Sequence, residues 1–128
     1  METRTIRHAT IKNELAAAVG DAEMQQTICL FHSPPYDCAL DRAALDGKFF
    51  EHAPLAVHVG SIAIRDFLTS RQPLLSLHGH VHESTRLTGH WRKTIGTTWA
   101  INGAHDGQEL SLIRFDPDCP AASDRTLV

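Results

Sequence analysis

This sequence has no CxxC spacing, no signal-like apolar core near its start, no apolar run of bilayer length and no stripe of basic charge. Each absence removes a class of protein. Three cysteines, Cys29, Cys38 and Cys119, are too few and too scattered for a zinc ribbon or a disulfide scaffold, so they read as reduced thiols in a cytoplasmic protein. Residues 1–15 are charged, and no later segment has the length to span a bilayer, which leaves neither a secretory signal nor a membrane span. The 12 Lys and Arg are scattered against 15 Asp and Glu, for a net charge of -3, so neither a nucleic-acid backbone nor an anionic membrane is indicated as partner. Trp91 and Trp99 are not interleaved with basic residues as a base-stacking platform would be. Repeats and low-complexity segments are also missing, and 128 residues exclude two full domains.

What is present is a 42% apolar content, enough for one core, and nine histidines. Three of these crowd into Leu77-His78-Gly79-His80-Val81-His82. Upstream, Ile11, Leu15 and Val19 recur at helical spacing, with Thr10 placed as N-cap and Gly20 as terminator. The run from Thr27 to Phe31 predicts a strand buried on both faces, stopped by Pro34 and Pro35. Residues 36–60 have no sustained period and predict a long loop with one helical turn around Arg42 to Leu45, and a loop of that length in a small domain is usually functional. Ser61 predicts the cap of a helix bearing Ile64, Phe67 and Leu68, which must end before Pro73. A second buried strand, from Leu74 to His78, delivers the histidine segment. The remainder predicts strands at residues 85–88, 94–102 and 109–115, then a mobile tail over 117–128.

Imidazole suits Zn, Mn, Fe, Ni or Cu, and two imidazoles one residue apart converge if the backbone between them turns tightly. Gly79 is placed to permit that turn, with Val81 facing the core and His80 and His82 the strand-end cavity. The plain alternative is an exposed histidine cluster on a loop. His32 also ends a predicted strand, and two strand ends of one sheet meet at one crevice. His78 closes a strand, where local hydrogen bonding is the commoner role, so it stands behind the ligands. Asp41 either orients a ligating histidine or caps the loop, and His58 in the long loop is placed to touch a substrate phosphate. A mononuclear site of His78, His80 and His82, unrelated to phosphate chemistry, leaves His32, the Pro-Pro turn and Asn102-Gly103 unused.

The order His32-Ser33-Pro34-Pro35-Tyr36, Leu40-Asp41, His58-Val59-Gly60-Ser61, Gly79-His80-Val81-His82-Glu83, Gly96-Thr97-Thr98 and Asn102-Gly103 resembles the second half of calcineurin-like metallophosphoesterases. The resemblance covers residues 10–115 and implies an α/β (α+β) fold, part of a four-layer α/β/β/α sandwich with mixed sheets. Residues 1–116 would form the C-terminal portion of that domain. By the resemblance, His32 and His80 match ligands of one metal of a dinuclear centre (Mn, Fe or Zn), and His82 matches a ligand of the other. Asp41, His58, His78 and Asn102 would stand behind the metals or touch substrate. The family's Asp-x-His, Gly-Asp-x-x-Asp and Gly-Asn-His-Asp/Glu motifs do not occur here, and Gly20-Asp21 with Met24 is no substitute.

The implied activity is metal-dependent phosphoester hydrolysis by a truncated or partner-requiring form. Its rival is an inactive remnant or regulatory subunit that binds metal without turnover. An incomplete sheet would expose an edge and an apolar face, which favours a homodimer or a separate N-terminal chain as partner.

Overall fold

The computed structural model describes residues 2–50 and 53–128, with side chains described for 10–44 and 57–128. The architecture is mixed α/β. A four-stranded sheet has the order β1 (Ile28–Leu30), β4 (Leu75–His78), β6 (Thr98–Asn102), β5 (Arg92–Ile95), and two two-stranded ladders, β2 (Arg42–Phe50) with β3 (Ala53–His58) and β7 (Ser111–Asp116) with β8 (Cys119–Leu127), accompany it.

Helix α1, Glu2–Val19, begins well before the expected cap, so Thr10 lies inside it. Residues 2–9 contain no Pro or Gly to stop a helix, and among the described side chains Ile11, Leu15 and Val19 pack on the core. Gly20 ends it in the left-handed region, at φ 52°, as a C-terminal glycine does. A single 3-10 turn at Met24–Gln26 leads into β1, Ile28–Leu30.

Residues 36–60, expected as a loop, instead hold a hairpin of β2, Arg42–Phe50, and β3, Ala53–His58. Gly47 and Pro54 speak for a loop, but the ladder shifts register between Ala44 and Phe49 and so accommodates the glycine. Helix α2, Ile62–Arg71, starts where expected: Ser61 accepts a hydrogen bond from the Ile64 amide at 3.1 Å. It stops at Gln72, φ 52°, because Pro73 cannot continue it. The Gln72 side chain then spans to the next turn, donating to the Ile95 carbonyl and accepting from the Thr97 amide.

Strand β4, Leu75–His78, is central and pairs in parallel with β1 on one side and with β6, Thr98–Asn102, on the other. Between them lies α3, Ser84–Thr88, where a strand was expected. The threonines there suit either state, and Gly89 at φ 78° closes a helical turn that Thr88 reinforces by donating to Ser84 O. Strand β5, Arg92–Ile95, returns antiparallel to β6. The expected tail of residues 117–128 carries β8, Cys119–Leu127, which zips onto β7, Ser111–Asp116.

Met24, Ile64, Phe67 and Leu68 form the core, against which Ile11, Leu15 and Val19 of α1, Cys29, Phe31 and Ile95 pack. Helices α1 and α2 thus cover one face of the sheet. Elsewhere on the sheet, Arg92 lies between the rings of Trp91 and Trp99, 5.0 and 4.9 Å from their centroids. It hydrogen-bonds to Ala121 O, Ser123 O and Ser123 Oγ, tying β8 to the sheet. Strand β1 is not buried on both faces as expected: it is the sheet edge, and Leu30 is 77% exposed. Among the described residues no helix is long and apolar enough to cross a membrane.

Candidate functional site

Three parallel strands, β1, β4 and β6, point their C-terminal ends at one edge of the sheet, where ligands bind in open α/β sheets. The first end continues past β1: Phe31 N–H donates to Leu77 O at 2.9 Å, and Gly79 N–H to His32 O at 3.0 Å. His32 is thereby fixed beside the segment that follows β4. The rings of His32 and His80 stand 4.5 Å apart, centroid to centroid, tilted at 49°. Both residues are exposed.

The turn between His80 and His82 differs from the expectation. Gly79 does not take positive φ; His80 itself does, at 70°. Val81 N–H donates back to Gly79 O at 2.8 Å, closing a three-residue turn centred on His80. A γ-turn of this hand is rare and strained. Val81 is buried, as expected, and His82 is exposed beyond it. His82 does not complete a cluster: among the described residues no three His, Cys, Asp or Glu side chains gather as a metal-holding group.

His78 is saturated by its own surroundings. A carbonyl can only accept, so Nδ1–H donates to Ser33 O at 2.9 Å and Nε2 accepts from the Ser76 hydroxyl at 2.7 Å. Its ring stacks on Phe31, and burial pushes its pKa down to about 4. A neutral imidazole with both nitrogens engaged has none left for a cation, so the mononuclear site of His78, His80 and His82 is not formed. What His78 does is clamp residue 33, next to His32.

Asn102, fully buried at the end of β6, does the same for the other arm. Its Nδ2 donates to Val81 O at 3.1 Å and to Ser84 Oγ at 2.7 Å, and its Oδ1 accepts from Ala104 N–H at 2.9 Å. It touches neither His32 nor His80 through any of these bonds.

Asp41 is also fully buried. Its carboxylate accepts from the amides of Asp37, Cys38 and Gly60 and from His58 Nδ1 at 2.7 Å. This is the loop-capping role, and the histidine that it orients is His58, whose Nε2 lies 3.1 Å from Asp37 Oδ1. The whole cluster is pressed onto the Pro-Pro turn: Ser61 N–H donates to Pro34 O at 2.8 Å, and a Cβ at Gly60 would collide with the Pro35 carbonyl. Burial raises the Cys38 thiol to about 11, so it stays protonated and unreactive.

Sequence reasoning missed Ser33, Ser76 and Ser84, which act through a carbonyl or a hydroxyl. The one available signal was Ser76 two residues before His78, on the same side of a strand.

The donor set tests the implied metals. Two imidazoles can offer two nitrogens to one borderline cation, but no carboxylate joins them among the described residues. Two cations a few Å apart repel and need a bridging anion. A dinuclear centre does not fit what the described residues supply.

No family model and no curated protein matches this chain. Its fold is similar to the crystal structure of TT1561 of Thermus thermophilus, with a TM-score of 0.53 at 18% identity. The match covers 90% of this chain and 40% of that one, so the chain spans less than half of that protein's length. The likeness is one of fold.

Proposed function

We propose that this chain is the C-terminal portion of a calcineurin-like metallophosphoesterase domain and contributes the two-histidine half of a site for phosphoester hydrolysis. The observation that carries the reading is the pairing of His32 and His80 from two parallel strand ends, ring to ring at 4.5 Å. The motif order around those residues and the fold likeness support it. Carboxylates to complete the site come from outside these residues. The open edge at β1, with Ile28 38% and Leu30 77% exposed, suits a strand of the partner that brings them. Three free cysteines suit a reducing cytoplasm.

One observation favours a second reading, metal binding without turnover: no anionic donor stands with the His32–His80 pair among the described residues. Hydrolysis of a chromogenic phosphodiester with added Mn, beside His80→Ala and with sedimentation of the same samples, separates the readings. Turnover that His80→Ala abolishes, in an associated species, supports the hydrolase. Mn binding without turnover supports the second reading, and the absence of both sinks the metal assignment.

A further inference from the structure

His80 holds a left-handed backbone conformation, φ 70°, which a residue with a Cβ adopts only under strain. Such strain persists only where the surroundings over-determine it. The surroundings here are specific. Two residues hold the turn from outside it, Asn102 and Ser84, and both are fully buried. Asn102 Nδ2 spends one hydrogen on Val81 O and the other on Ser84 Oγ, while the Ser84 hydroxyl in turn lies 3.4 Å from Val81 O. The Val81 carbonyl immediately follows the strained residue, so fixing it fixes the exit of the turn. The entrance is fixed by Gly79 N–H on His32 O and by Gly103 N–H on His78 O. Asn102 is the register partner of His78 across β4 and β6. The two therefore sit side by side in the sheet, one pinning the arm of His32 and the other the arm of His80.

We propose that Asn102 is a positioning residue. Through Val81 O and Ser84 it holds the left-handed turn at His80 and so sets the distance between the His32 and His80 rings. The assignment rests on the two-imidazole reading above, but makes a separate claim about which group builds it. Asn102 meets no cation itself: both its amide hydrogens and its oxygen are already used within the fold. A side chain that only stabilised β6 would leave the geometry at His80 untouched.

The test uses the full chain with Ni(II) alone as probe, titrated above the histidine range, and two substitutions that divide the clamp. Asn102→Asp keeps an acceptor for Ala104 N–H but cannot donate to Val81 O. Ser84→Ala removes the second tie only. Leu68→Ala, buried beneath the helices, serves as a destabilised control remote from the turn. We expect Asn102→Asp to weaken Ni(II) binding about 10- to 100-fold, Ser84→Ala less, and Leu68→Ala not at all although it melts earlier. An independent readout is the amide-to-α-proton NOE within His80, strong when φ is positive, which should weaken in Asn102→Asp. Wild-type affinity and an unchanged NOE in both clamp variants would overturn the proposal. If Asn102→Asp fails to fold, Ser84→Ala decides by the same two readouts. If the wild-type chain binds no Ni(II), the two-imidazole reading fails, and the NOE still decides whether Asn102 holds the turn.

Discussion

Leu30, Leu77 and Ile101 lie in one row across β1, β4 and β6, paired in register and on the same face of the sheet. At one end Ile101 is completely buried; at the other Leu30 is 77% exposed. The same contrast runs through the polar groups above the row. At β4 and β6 the buried side chains of His78 and Asn102 have every donor and acceptor engaged, while beyond β1 the ladder simply ends. The middle of the sheet is thus closed by its own side chains, while the β1 edge is left open. The candidate site shares the asymmetry: the His32 and His80 rings are held side by side, and among the described residues no carboxylate joins them.

The largest effect that sharpens the comparison is in the row itself. Ile101→Ala should cost about 2–5 kcal/mol in denaturant unfolding, because a fully buried side chain leaves a cavity. Next is His78. Its folded pKa of about 4 lies below the ordinary value of 6.5, so the unfolded chain binds the extra proton. Stability is fully present above pH 6.5 and falls as pH drops toward 4, by on the order of 3 kcal/mol in all. Urea midpoints across that range should fall in the metal-free wild type and flatten in His78→Gln. A smaller loss, about 1–2 kcal/mol, is expected for Arg92→Lys, which forfeits the guanidinium bonds to Ala121 and Ser123. Hydrogen exchange should speed up in β8 before it does in β4. Smallest is Leu30→Ala, within about 0.5 kcal/mol, despite deleting the same class of side chain from the same row as Ile101→Ala. If the two alanine variants cost the same in a monomer, β1 is covered and the contrast is broken.

How much of this was legible in the sequence depended on whether local rules or distant contacts decide the residue. Ser61 as a helix cap, β4 as a buried strand and His32 near a strand end followed from hydrogen-bond accounting and from proline chemistry. The inward turn of Val81 followed from polarity alone. The β2–β3 hairpin did not, since a stretch with no sustained period and with Gly47 inside it reads as a loop until the register shift absorbs that glycine. Nor did β8, whose polar sequence looks like a tail until β7 supplies a ladder. Gly79 seemed the obvious turn residue, yet His80 takes the left-handed conformation because buried Asn102, far along the chain, grips Val81 O and Ser84. No local pattern encodes that grip. An open edge was expected, but not that β1 would be it, because an apolar run reads alike at a sheet's centre and at an open edge.

In the proposed function His32 and His80 bind one ion together, and among the described residues His82 does not join them. Zn(II) titration of the wild-type chain beside His32→Ala, His80→Ala and His82→Ala tests it most directly. A single ion per chain is expected, lost in the first two variants and retained in the third. Two ions per chain, or binding that survives His80→Ala, would contradict it.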